Sequence, residues 1–123
     1  MQSHDDQQTG SVYKIVREDD WAAACLTGGY LGSPDDKRDG FIHLSAAHQL
    51  AGTARKHFKG QRGLILVRFR ASDLGTGLQW ETSRGGDLFP HYYGSLSTDL
   101  ALEQHVLPLD ANGIPVLPEV AVS

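Results

Sequence analysis

The spacing of apolar and polar residues changes period several times along the chain, and each change marks an element. Val12 to Val16 is short and rich in β-branched and aromatic residues, which predicts a first strand. Arg17-Glu18-Asp19-Asp20 then places carboxylates where a helix N-terminus favours negative charge. Trp21, Ala24 and Cys25 continue at helical spacing, which Tyr30 also fits, and Gly28-Gly29 supplies the stop. From Leu31 to Gly40 the residues are those of turns, so a polar loop is expected. Phe41-Ile42-His43-Leu44 reads as a short strand ending at Ser45, whose hydroxyl is placed to cap the helix that follows. That helix, about Ala46 to Lys59, puts Ala47, Leu50, Ala51, Ala54 and Phe58 on one stripe.

Leu64-Ile65-Leu66-Val67-Arg68-Phe69-Arg70 carries the strongest strand signal, continuous and apolar before it alternates, as in a central strand. Ala71 to Gly77 reads as a connection, Leu78 to Thr82 as a strand, and Ser83-Arg84-Gly85-Gly86-Asp87 as a second loop ahead of Phe89 to Tyr93. Leu100 to Leu109 fits strand and helix alike; Asp110 to Gly113 is a turn into a last strand, Ile114 to Leu117. Prolines 108, 115 and 118 keep that strand near an edge. Without regular βαβ alternation, the order of elements predicts an α+β fold, a mixed, mainly antiparallel sheet with two principal helices. Residues 1–11 read as a disordered N-terminal tail, 12–118 as a single α+β domain and 119–123 as a C-terminal tail.

Composition narrows the picture. At 123 residues there is room for one domain, which buries roughly two-thirds of the surface of its unfolded chain. No run of about 18 uncharged apolar residues is present, so no membrane span is expected. The single cysteine, Cys25, excludes an internal disulfide, fits a reducing cytoplasm, and reads as a small core residue. A formal charge of −4 argues against wrapping a nucleic-acid backbone. Basic residues do crowd the middle, from Arg55 to Arg70, either as a solvated face or as a surface for an anion.

Two segments carry candidate chemistry. In a strand His43 faces away from Ile42 and Leu44, on the side of Phe41, and offers a donor and an acceptor to a ligand. The competing reading is a half-buried structural histidine. Phe89-Pro90-His91-Tyr92-Tyr93-Gly94 packs polar-tipped aromatics beside a second histidine, as ligand clefts do, or as a hairpin edge stacks its own rings. Glu81, next to Trp80, is the best-placed acid, since an apolar neighbour raises a carboxylate's pKa; an exposed strand glutamate is the alternative. His43 and His48 lack the spacing of a metal site, Ser45 lacks a nucleophile-elbow context, and no metal is expected.

Together, Tyr13-Lys14-Ile15, Trp21, Gly40 to Ser45, Gln49, Trp80-Glu81 and Phe89 to Gly94 resemble the bacterial domain of unknown function 952 family, over about Val12 to Pro118. More distantly, the order of elements is similar to the nicotinamide-binding half of ADP-ribosyltransferases and NAD-using RNA 2′-phosphotransferases. That resemblance implies an ADP-ribosylation-like fold and NAD as ligand, with His43 in the second-strand position beside the nicotinamide. It sets Lys14 near the first-strand position, where those enzymes carry a histidine, and leaves Glu81 and Glu103 as candidates for their glutamate.

The resulting expectation is a transferase on NAD or another nucleotide-like small molecule. His43, His91 and Glu81 would be catalytic, and Phe41, Ser45, Arg84, Tyr92 and Tyr93 would bind ligand, with Arg84 or Arg38 steering the anion. Two rivals are a non-catalytic binding or sensing module with the same cleft, and an interaction domain using the Phe89 to Tyr93 edge.

Overall fold

The computed structural model describes residues 10–83 and 85–119. Its strands are β1 (Ser11–Arg17), β2 (Gly29–Tyr30), β3 (Ile42–His43), β4 (Ser45–Ala46), β5 (Leu64–Arg70), β6 (Leu78–Thr82), β7 (Leu88–Tyr92), β8 (Leu96–Ser97) and β9 (Ala101–Leu107). Its helices are α1 (Glu18–Thr27), α2 (Pro34–Asp39), α3 (Leu50–His57) and α4 (Ala71–Leu74). The strands form three sheets, ordered β4-β1-β5-β9, β2-β8 and β3-β7-β6. Every strand pairing among the described residues is antiparallel. The fold is therefore α+β, but its strands are divided among three sheets rather than gathered into a mixed one.

The large sheet is covered on both faces, and β1 and β5 show why. Successive side chains of a strand point to opposite faces. Val12 and Val16 of β1, with Ile65, Val67 and Phe69 of β5, pack with Trp21 and Ala24 of α1, with Tyr30, Ile42 and Leu96 from the small sheets, and with Leu44 between β3 and β4. Tyr13, Ile15, Leu64 and Leu66 pack on the other side against Leu50 and Ala54 of α3 and Leu107 of β9. Burial on both faces explains the unbroken apolar run from Leu64 to Val67, each side chain of which contributes roughly 1.5–3 kcal/mol. On the first face, between Val12 and Val16, sits a charge: Lys14, 8% exposed.

The structure departs from several sequence expectations. The expected loop from Leu31 to Gly40 contains α2. Ser33 accepts a hydrogen bond from the Asp36 N–H at 3.2 Å, and Asp36 Oδ2 accepts from the Ser33 N–H at 2.9 Å. With Pro34 in the first turn and Gly40 at φ 88°, Ser-Pro-Asp-Asp is a helix start, a composition it shares with turns. Ser45 does not cap a helix. Its Oγ lies 3.1 Å from Thr53 Oγ1, and Gln49 Oε1 instead accepts from the Ala46 N–H at 2.9 Å, ahead of a 3₁₀ turn at Ala47–Gln49 that leads into α3. Cys25 is exposed rather than a core residue. Tyr30 lies in β2 and Ala51 is exposed. Ala71 to Gly77 holds α4 and a 3₁₀ turn. Leu100 to Leu109 resolves as β9, and the last strand reduces to a single bridge, Leu109 to Pro115.

Candidate functional site

β3 and β7 pair so that His43 lies directly opposite His91, with Ile42 opposite Tyr92. The two imidazole centroids are 5.6 Å apart and their planes meet at 69°. Each ring is held through Nδ1 by a carboxylate on another element.

His43 is gripped from α2. Its Nδ1 lies 2.6 Å from Asp36 Oδ1, its backbone N–H donates to the same oxygen at 3.1 Å, and its Nε2 lies 3.0 Å from Asp39 Oδ2. Behind Asp36 stands Lys14, whose Nζ is 2.9 Å from Oδ2 and 3.2 Å from Oδ1 and donates to the His43 carbonyl at 2.8 Å. Burial opposes ionisation of Asp36. The bond from the His43 ring, the Lys14 ammonium and the backbone N–H groups of Ser33 and His43 outweigh it, holding the carboxyl well below the usual range. Burial also draws the Lys14 ammonium below its ordinary value, against the pull of Asp36.

His91, 6% exposed, is held from β6. Its Nδ1 lies 2.7 Å from Glu81 Oε1, which also accepts from the Tyr93 hydroxyl at 2.8 Å. Those two bonds lower the Glu81 pKa, the reverse of the expectation drawn from Trp80. Trp80 and Glu81 point to opposite faces of β6, and Trp80 packs on the core. Phe41 stacks on His91 with centroids 4.0 Å apart and planes at 22°, and touches His43 and Tyr93 at 4.6 and 5.5 Å. Fixing Nδ1 leaves Nε2 of His91 as the ring nitrogen without a protein partner among the described residues.

Both histidines line one cavity of about 700 Å³. α2 contributes Asp35, Asp36, Arg38 and Asp39; the opposite wall comes from the 3₁₀ turn and α3, with His48, Gln49, Gly52, Thr53, Lys56 and His57. Phe58 and Phe89 add aromatic surface, and Ser83 and Asp87 come from the loop after β6. Gln49 ties its wall to β7, donating from Nε2 to the Leu88 carbonyl at 2.8 Å. A smaller cavity of about 360 Å³ lies elsewhere, between α1 and β9, beside Trp21 and Cys25.

The residues singled out from sequence fall into separate positions. His43, His91 and Ser45 line the cavity, Ser45 with its hydroxyl on Thr53. Glu81, Phe41 and Tyr93 stand behind His91 and outside the lining. Tyr92 points the other way, into the core, where Gly77 makes room for it: a Cβ there would lie 2.9 Å from Tyr92 Cε1. Arg38 lines the cavity but is paired with Asp35 and Asp39, both at 3.1 Å. Glu103, on β9, pairs with Arg68 of β5 and with His105, away from the cavity. Arg84 lies outside the described residues. Asp36 and Asp39 do not stand out in sequence because α2 has the composition of a loop; the Ser-x-x-Asp capping pattern at Ser33 and Asp36 is the available signal. Among the described residues no three His, Cys, Asp or Glu side chains converge to hold a metal ion, and no helix is long and apolar enough to cross a membrane.

Fold and site together define a small α+β domain of antiparallel sheets with a histidine-lined cavity. The family model described as "Protein of unknown function (DUF952)" matches residues 15–104, and the chain belongs to that family. The chain is similar to the crystal structure of protein CC0527 from Caulobacter crescentus, with 43% identity, 92% of this chain and 99% of that one covered, and a TM-score of 0.88. The solution NMR structure of CC0527 gives 46% identity over 85% of this chain and 90% of that one, with a TM-score of 0.78. No curated protein matches the chain.

Proposed function

We propose that the cavity binds NAD or a related nucleotide-like molecule and that the protein is a transferase acting on it, on an ADP-ribosylation-like fold. The observation that carries this reading is the opposition of His43 and His91 on one cavity wall, each imidazole backed by its own carboxylate. Such a pair suits proton transfer to and from a bound sugar or leaving group. Glu81 keeps the proton of His91 on Nδ1, so Nε2 is the atom that accepts one from the ligand. The His43 bond to Asp39 is the more exposed of its two, with both side chains over a third accessible, and a ribose hydroxyl would replace it. Phe89 or Phe58 would stack the ring.

Lys14 has a different part from the first-strand histidine of the enzymes this chain resembles. Its amine is directed to Asp36 and the His43 carbonyl, so it supports His43 rather than meeting ligand. That locked arrangement also favours a second reading, a non-catalytic binding module that keeps the pocket without the chemistry.

Calorimetry with NAD and with ADP-ribose tests binding, and release of nicotinamide tests chemistry. The transferase reading expects both, with release abolished in His91→Ala. Binding without release leaves the binding module; no heat at millimolar ligand with folded protein removes both.

A further inference from the structure

Gly52 lies inside α3, where glycine is destabilising relative to alanine. Neither usual reason for glycine applies. Its φ is not left-handed, and an added Cβ would meet no atom within 4 Å. The space beside it belongs to the cavity, which Gln49, Gly52, Thr53, Lys56 and His57 line from successive turns of the 3₁₀ turn and helix. The walls also differ in charge. On the α2 side Asp35, Asp36 and Asp39 are paired with Arg38, Lys14 and His43. On the α3 side Lys56, on a wall that His48 and His57 also line, forms no ion pair among the described residues. Asp87, also without one, comes from the loop after β6 and disfavours anionic groups there.

We propose that the cavity face of α3 is the subsite for the phosphate groups of the ligand, with Lys56 as counter-charge and Gly52 leaving the room they occupy. This deepens the nucleotide reading above and rests on it for the identity of the rest of the ligand. A diphosphate against Gly52 and Lys56 would leave its attached sugar to reach His43 and His91 on the facing wall.

The test is a titration of the ¹⁵N-labelled full chain with inorganic pyrophosphate, followed by two-dimensional NMR. Expected are shifts concentrated in the amides from Gly52 to His57, and affinity weakened roughly tenfold or more in Lys56→Ala, as for loss of a charge-assisted hydrogen bond. Gly52→Leu fills the space and should weaken binding comparably while raising the thermal midpoint, so lost binding cannot be put down to misfolding. No response of the wild type to millimolar pyrophosphate, or wild-type affinity in both variants, overturns the subsite. Pyrophosphate binding without any response to NAD or ADP-ribose would sustain the subsite and remove the nucleotide reading. Nucleotide binding that ignores both substitutions would do the reverse.

Discussion

Asp36 holds His43 twice with one oxygen, taking the backbone N–H at 3.1 Å and the ring Nδ1 at 2.6 Å. The same carboxylate pairs with Lys14 on β1 and closes the N-terminal turn of α2, so three elements meet on a residue only 2% exposed. Asp36→Ala leaves the Lys14 ammonium buried and uncompensated. The expected loss is about 3–5 kcal/mol in urea unfolding, with Asp36→Asn costing less because the amide keeps the shape and part of the bonding. A loss below about 1 kcal/mol for the alanine variant would mean the cluster holds nothing together.

The same carboxyl predicts how the fold responds to acid. Its pKa is depressed in the folded protein, so the unfolded chain binds the proton more readily. The stabilisation is therefore complete above the unfolded carboxylate value of about 3.9 and is lost progressively as pH falls below it, toward the depressed folded value. Urea midpoints measured from neutral pH downward should fall in that acid range for the wild type and fall less steeply for Asp36→Asn. Parallel curves would exclude Asp36 as the group responsible.

A buried ion pair is not necessarily a net gain, and the Lys14–Asp36 pair allows that question to be put directly. Lys14→Met alone should cost about 3–5 kcal/mol because Asp36 loses its cation. The double variant Lys14→Met with Asp36→Leu should recover much of that stability while freeing the ring of His43. Additive losses in the cycle would show that the two charges act independently.

How much of this was legible in the sequence depended on the length and period of each segment. β5 was plain, because four successive residues buried on both faces, Leu64 to Val67, leave a continuous apolar run. The two histidine segments could be named, but their register could not: β3 has two residues, and its partner is held by long-range pairing that no local pattern encodes. α2 was hidden because its six residues are too few to show a period and its start is written in turn residues. Cys25 was misjudged because α1 buries only a narrow stripe, Trp21 and Ala24, which leaves its neighbours in solvent. Lys14 lies in a strand that reads as apolar, and only the tertiary placement of Asp36 makes its burial intelligible.

Glu81 is the residue on which a catalytic reading of His91 turns. Its side chain is largely exposed and contributes two side-chain bonds at the rim of the sheet, so Glu81→Ala should leave the fold intact, with little change in the urea midpoint. Without the acceptor at Nδ1 the ring is free to move its proton to Nε2, the nitrogen the ligand needs unprotonated. ¹⁵N NMR of the imidazole should therefore report Nδ1–H in the wild type and a shift toward Nε2–H in the variant. Any turnover found with NAD should fall roughly a hundredfold or more, in kcat rather than KM. Tyr93→Phe separates orientation from charge: it removes the second bond to Glu81 while leaving the first, so the tautomer should hold and turnover should fall far less. If Glu81→Ala changed the tautomer without touching turnover, His91 would not be the group that moves the proton.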